Sequence, residues 1–200
     1  MKRFTFTGIL LIFIVLAFGC SDAQKDENQE YTSTYLENNE TEDVITGTKD
    51  ILPDTYDLKL LDMSKNGTDC KTQEHETNDR SPLAQTSRCH YNINEFNDTT
   101  ISVILKKYTN FEDLNGTYQY NSMHLRSKDG LISENELGNM SRFSMNSESD
   151  YGGEKNEKGI YYYHLWIVHE PYLIHITSKG KKEAEEYVKS TGKLIVSKFN

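Results

Sequence analysis

Histidine and cysteine carry most of the chemistry this chain could do. His164, His169 and His175 fall close together in an aromatic, apolar stretch. His169 is followed by Glu170, but no second histidine comes four residues on, and Pro171 would break a helix there. The helical two-histidine zinc pattern is therefore absent. A hairpin turning at Glu170-Pro171 relates the other two differently. With an even-length loop, His164 and His175 share one face as diagonal neighbours within reach of each other; a three-residue loop puts them on opposite faces. Two imidazoles fall short of the four ligands zinc takes, so the expectation is no metal and no cofactor, with His164 and His175 as weak candidates beside Trp166. Cys70 and Cys89 are the second feature. In an exported chain such a pair bridges, closing a polar loop that contains Asn78, Asp79, Arg80, Ser81 and Pro82. In the chain-entropy picture the closure contributes about 3 kcal/mol. Two reduced, buried thiols are the alternative. A catalytic Cys89–His90 pair is disfavoured, because adjacent strand residues point to opposite faces.

The segment Ser127-Lys128-Asp129-Gly130-Leu131-Ile132-Ser133-Glu134-Asn135-Glu136 resembles the second half of an EF-hand calcium loop. The resemblance would make Asp129 the fifth position, Gly130 the turn and Glu136 the bidentate twelfth ligand. Leu125 occupies the first position and offers no side-chain oxygen, so the expectation is a plain Asp-Gly turn without tight calcium binding. Five Asn-x-Ser/Thr sequons begin at Asn39, Asn66, Asn97, Asn115 and Asn139; they matter only in a host that glycosylates exported proteins. No Gly-x-Ser-x-Gly elbow occurs, and Tyr151-Gly152-Gly153-Glu154 lacks the lysine of a phosphate-cradling loop. The balance leans away from an enzyme and names no catalytic residue.

The elements that would hold these residues are mostly strands. Tyr56 to Met63, Cys89 to Ile93, Thr99 to Tyr108, Met140 to Met145, Gly159 to His169 and Tyr172 to Ser178 read as strands, with Ile101, Val103 and Leu105 on one face at period two. Phe111 to Tyr120 reads as a short helix weakened by Gly116. From Lys181 onward the chain reads as helix: Ala184, Tyr187, Val188, Thr191 and Ile195 recur at spacings of three and four. Gly192 leaves two continuations open, helix to the end or a strand over Lys193 to Phe199. Strands outnumbering helices, with a helix last, predict an α+β fold: an antiparallel sheet with helices on one face. The closing strand-turn-strand-helix run, ending Leu194-Ile195-Val196-Ser197-Lys198-Phe199, is similar to PsbP-type domains and related surface lipoproteins.

Charge and composition narrow the classes. The formal net charge is −9 and the mean hydropathy −0.72. An acidic surface repels phosphate backbones, so no nucleic-acid partner is expected. Thirteen Tyr, eight Phe and one Trp are too many for a chain without a core.

The N-terminus supplies an address. Met1-Lys2-Arg3 is followed by an apolar run from Phe4 to Gly19 and then Cys20. Two positive charges, a short apolar stretch and small residues before a cut are the parts of a secretory signal. The run is shorter than the roughly 20 residues of a comfortable membrane span. Gly19-Cys20 resembles the end of the lipobox in prokaryotic lipoprotein precursors, although Ala17 stands where leucine is usual. The resemblance implies a signal peptide over 1–19 and an acylated Cys20 on the extracytoplasmic side; an uncleaved apolar anchor is the alternative. Residues 21 to 50 hold nine Asp or Glu and two Lys, the composition of a disordered, self-repelling tether. One globular domain is expected over 51–200. The reading that follows is a lipid-anchored, non-catalytic binding domain. Its expected partners are membrane lipid through Cys20 and another envelope or surface protein. A small-ligand or metal-binding role for the His164/His175 face, or for the loop with Asp129 and Glu136, is the alternative.

Overall fold

The computed structural model describes residues 47–67, 70–78, 82–124, 130–146 and 159–199. Cys20, Asn39, Asp129 and the 21–46 part of the expected tether lie outside them.

Among the described residues, eight antiparallel strands form one sheet. They are β1 (Met63–Lys65), β2 (Lys71–Glu74), β3 (Leu83–Ile93), β4 (Phe96–Tyr108), β5 (Leu131–Glu134), β6 (Met140–Asn146), β7 (Tyr161–His169) and β8 (Tyr172–Gly180). The order is β1-β3-β4-β8-β7-β6-β5, with β2 lying beside β1 along the outer edge of β3. The α+β expectation holds. Helices are α1 (Thr48–Ile51), α2 (Thr55–Leu60), α3 (Phe111–His124) and α4 (Ala184–Ser197).

The main core lies between one sheet face and the terminal helices. From β4 come Ile101, Val103 and Leu105, from β8 Ile174 and Ile176, from β7 Tyr163, Leu165 and Ile167. Ala184, Val188 and Ile195 of α4 pack on them, as do Ile51 and Leu58 from the first two helices. The expectation of helices on one face needs correcting. α3 lies on the opposite face, where Leu114 and Tyr118 pack on Tyr108, Trp166, Val168 and Leu173. The strand alternation explains it: the even positions at the Tyr108 end of β4 and β7 are apolar as well, and need a cover of their own.

Two local expectations are also corrected, and one left open is decided. Tyr56 to Met63 is not a strand: Asp54 caps α2 by accepting from Tyr56 N at 2.7 Å and Asp57 N at 2.9 Å, and Asp57 returns a bond to Asp54 N. That capping box fixes a helix start. The folded domain begins before residue 51, since Thr48 is fully buried and its hydroxyl meets Ser87 Oγ at 2.6 Å. Residues 48–50, expected in the tether, belong to α1. Finally, α4 runs through Gly192. This glycine is a close-approach position, because a Cβ there would lie 2.7 Å from Leu165 Cδ2 and 3.2 Å from Ile167 Cδ1.

Candidate functional site

α3 covers only one end of the second sheet face. Among the described residues no helix covers the side chains of five strands at the other end, where His164 and Trp166 are buried among exposed and half-buried neighbours, and register fixes which they are. One row across the sheet runs Arg88, Ile104, His175, Trp166, Arg142 on β3, β4, β8, β7 and β6. The next row runs His90, Ser102, Thr177, His164, Ser144, and the one beyond it Asn92, Thr100, Lys179, Tyr162. Alternation with the buried residues of β3 and β4 produces this face: each apolar position facing α4 leaves a polar neighbour facing the other way.

The turn joining β7 and β8 is the two-residue Glu170-Pro171, whose peptide bond is cis. The even-length case therefore applies. His164 pairs across with Thr177, one step from His175, and the two rings lie diagonally side by side with His164 Nδ1 and His175 Nε2 3.3 Å apart. His175 also stacks flat on Trp166, ring centroids 3.4 Å apart. Burial holds the His175 imidazole well below its ordinary pKa, and the electrostatic influence of His164, Lys106 and Arg88 pushes the same way. His169 is not part of this arrangement. It lies on the α4 face and stacks on Phe199 at 4.1 Å.

These rows line an open pocket of about 310 Å³ bounded by Arg88, Thr100, Ser102, His164, His175 and Lys179, with Ile104, Tyr162 and Thr177 among them. Its electrostatics run against the charge of the chain as a whole. Across the second face of β3, β4, β8, β7 and β6, Arg88, Lys106, Lys179 and Arg142 provide four cations. The described carboxylates nearest that face are at its margins, where Asp98 pairs with Lys181 at 3.2 Å and Glu134 pairs with Arg142. No carboxylate among the described residues pairs with Arg88, Lys106 or Lys179. Lys179 instead lies 5.7 Å from the centre of the Tyr162 ring, and burial, then the positive charge of Arg88, depresses the basicity of Lys106.

The other residues singled out in the sequence go elsewhere. Cys70 and Cys89 form a disulfide with Cα atoms 4.6 Å apart. Cys89 belongs to the buried core, whereas His90 faces the open side. Glu136 is exposed and pairs with Lys189 of α4 at 3.5 Å. No group of three or more potential metal-binding residues occurs among the described residues. Of the sequons, Asn66, Asn97 and Asn139 are exposed and Asn115 partly so; Asn139 Oδ1 accepts from Glu170 N at 3.1 Å, bracing the β7–β8 turn. Sequence reasoning missed Arg88, Thr100, Ser102, Thr177 and Lys179. Their signal was present as the polar half of each alternating strand, but only the register shows that these halves meet.

No helix among the described residues is long and apolar enough to cross a membrane. No protein-family model matches the chain, and no curated protein does either. Among solved structures, the chain is similar to the extracellular domain of PknH from Mycobacterium tuberculosis, with a TM-score of 0.48 and 8% identity, over 75% of this chain and 93% of that one.

Proposed function

We propose that the chain is an exported lipoprotein, held on the extracytoplasmic side of a membrane by lipid on Cys20. We read its folded part as a non-catalytic binding domain whose ligand sits in the open half of the second sheet face. One observation carries the site: α3 leaves that half uncovered, and it forms a concave pocket with convergent polar groups, the usual makings of a ligand site. The pocket volume of about 310 Å³ is at the small end of such sites, which favours a small molecule over a protein segment. A divalent metal fits poorly, since His164 and His175 are two ligands only and Arg88, Lys106 and Lys179 repel a cation. The export signal and Cys20 support the location, and the acidic segment after Cys20 supports a spacer between membrane and domain.

A protein partner is the second reading, favoured by the exposed Tyr120 and Met123, neighbours on the outer side of α3. Complementation of a deletion strain separates the two. Ser102→Trp fills the pocket from a position with no place in either core; it is expected to abolish complementation while the protein is still exported and folded. Tyr120→Ser with Met123→Ser is expected to complement fully. The reverse pattern would overturn the pocket reading in favour of a partner surface.

A further inference from the structure

We propose that the open pocket is an oxyanion site: Arg88 and Lys179 hold a phosphate, sulfate or carboxylate group, and the hydroxyls of Thr100, Ser102 and Thr177 donate to it beside the His175 ring. The inference rests on the pocket being the ligand site and adds the chemistry of the ligand.

Placement argues for it first. Neighbouring strands lie about 4.8 Å apart, so Arg88 and His175, two strands apart, flank a floor roughly 10 Å wide. Ser102 and Thr177 sit one row below, with Thr100 and Lys179 in the row below that. Arg88 and Lys179 stand roughly 10 Å apart across the sheet and about 13 Å apart along it, so extended arginine and lysine side chains reach one small anion from opposite corners of the pocket, and guanidinium is suited to bidentate oxyanion contacts. Charge argues next. A chain of net charge −9 repels anions in general, so cations unmatched by any described carboxylate and gathered on one sheet face mark the place where an anion is favoured.

Proton uptake follows from what surrounds His175. On its own strand lies Lys179. Arg88 and His90 face it from β3, Lys106 from β4 and His164 from β7. Arg142 stands beyond Trp166 and is neutralised by Glu134. On α3, Tyr118 feels Arg142 and Glu134, while Asp113 is bound at the helix start by Asn110. The field on the imidazole is thus positive, and the free pocket keeps His175 neutral. An anion between Arg88 and Lys179 reverses that field and raises the His175 pKa. Binding then tightens as pH falls from the raised, anion-bound value toward the depressed value of the free pocket.

The single tryptophan of the chain lies against His175, so its fluorescence reads this ring directly. The experiment titrates full-length protein in detergent with sodium sulfate, whose charge does not change between pH 5.5 and 7.5, with inorganic phosphate, with a short-chain phosphatidylglycerol and with zinc chloride. Saturable change in Trp166 emission with sulfate or phosphate is expected, with affinity rising several-fold, and at most tenfold, per pH unit toward pH 5.5. A change confined to the phosphatidylglycerol would support the same chemistry carried by a lipid headgroup. Arg88→Gln, at an exposed position, should weaken binding at least tenfold. Lys193→Gln, exposed on α4, should leave it unchanged. Equal binding by Arg88→Gln and the parent would overturn the proposal. A response to zinc but to none of the anions would overturn the oxyanion chemistry and leave the pocket as the ligand site. Silence toward all four would overturn both.

Discussion

At His175 two physical effects act in one direction. Packing under Trp166 strips water from the ring, and His164, Lys106 and Arg88 add positive potential, so the neutral form is favoured in the folded protein. In the unfolded chain the ring titrates near its ordinary 6.5. A depressed folded-state pKa in a histidine means that the unfolded state binds the extra proton more readily. Stability is therefore complete above about pH 6.5 and falls as pH drops below it, with a limiting slope of about 1.4 kcal/mol per pH unit. Carboxylates contribute lower down. The Asp54 pKa is lowered chiefly by the Asp57 backbone N–H, so its contribution is lost only in the acid range. Urea melts at pH 7.5, 6.5 and 5.5 should show a shrinking midpoint in the parent and a flatter profile in His175→Gln. Parallel profiles would show that His175 is not held neutral by the fold.

Among the elements, α4 and the β2–β3 pair make the sharpest demands. Gly192 lets α4 settle on Leu165, Ile167 and Leu137. Glycine costs about 1 kcal/mol of helix propensity there, yet Gly192→Leu should destabilise by about 1–3 kcal/mol through overpacking, measurable by denaturant unfolding; a gain in stability would mean that helix and sheet can part at no cost. The Cys70–Cys89 disulfide ties β2 to β3. Cys70→Ser with Cys89→Ser should lower stability by about 3 kcal/mol, and a drop below 1 kcal/mol would show that β2 adds little to the fold. The strands of the sheet centre were legible because β4, β7 and β8 alternate or run apolar over seven residues or more. α2 was not, since Tyr56, Leu58 and Leu60 mimic a strand period while the start signal lies in Asp54 and Asp57. The extent of α4 was hidden by Gly192, whose meaning depends on what packs above it. His164 and His175 were legible as a pair conditional on the loop; Arg88 and Lys179 were not, because they reach the pocket through strand neighbours distant in sequence.

For the whole molecule, the contrast between an acidic chain and a basic sheet face is the property with most consequence. Long-range repulsion keeps polyanions and anionic membrane surfaces away, while the local field in the pocket still draws a small anion. In the proposed lipoprotein, the acidic segment after Cys20 offers no attraction to anionic lipid, so attachment would depend on acyl chains. Cys20→Ser should leave the membrane fraction, or accumulate as precursor if processing fails; membrane-bound Cys20→Ser carrying an intact N-terminal segment would mean that the anchor is a helix and not a lipid.

The most direct test is to locate the bound anion by backbone amide shifts in labelled full-length protein titrated with sodium phosphate at pH 6. The largest shifts should fall on Thr100, Ser102, His164, His175, Thr177 and Lys179, with little change on α3 or α4. Shifts centred on Tyr120 and Met123, or spread evenly over surface lysines such as Lys193, would contradict a built site on the open sheet face.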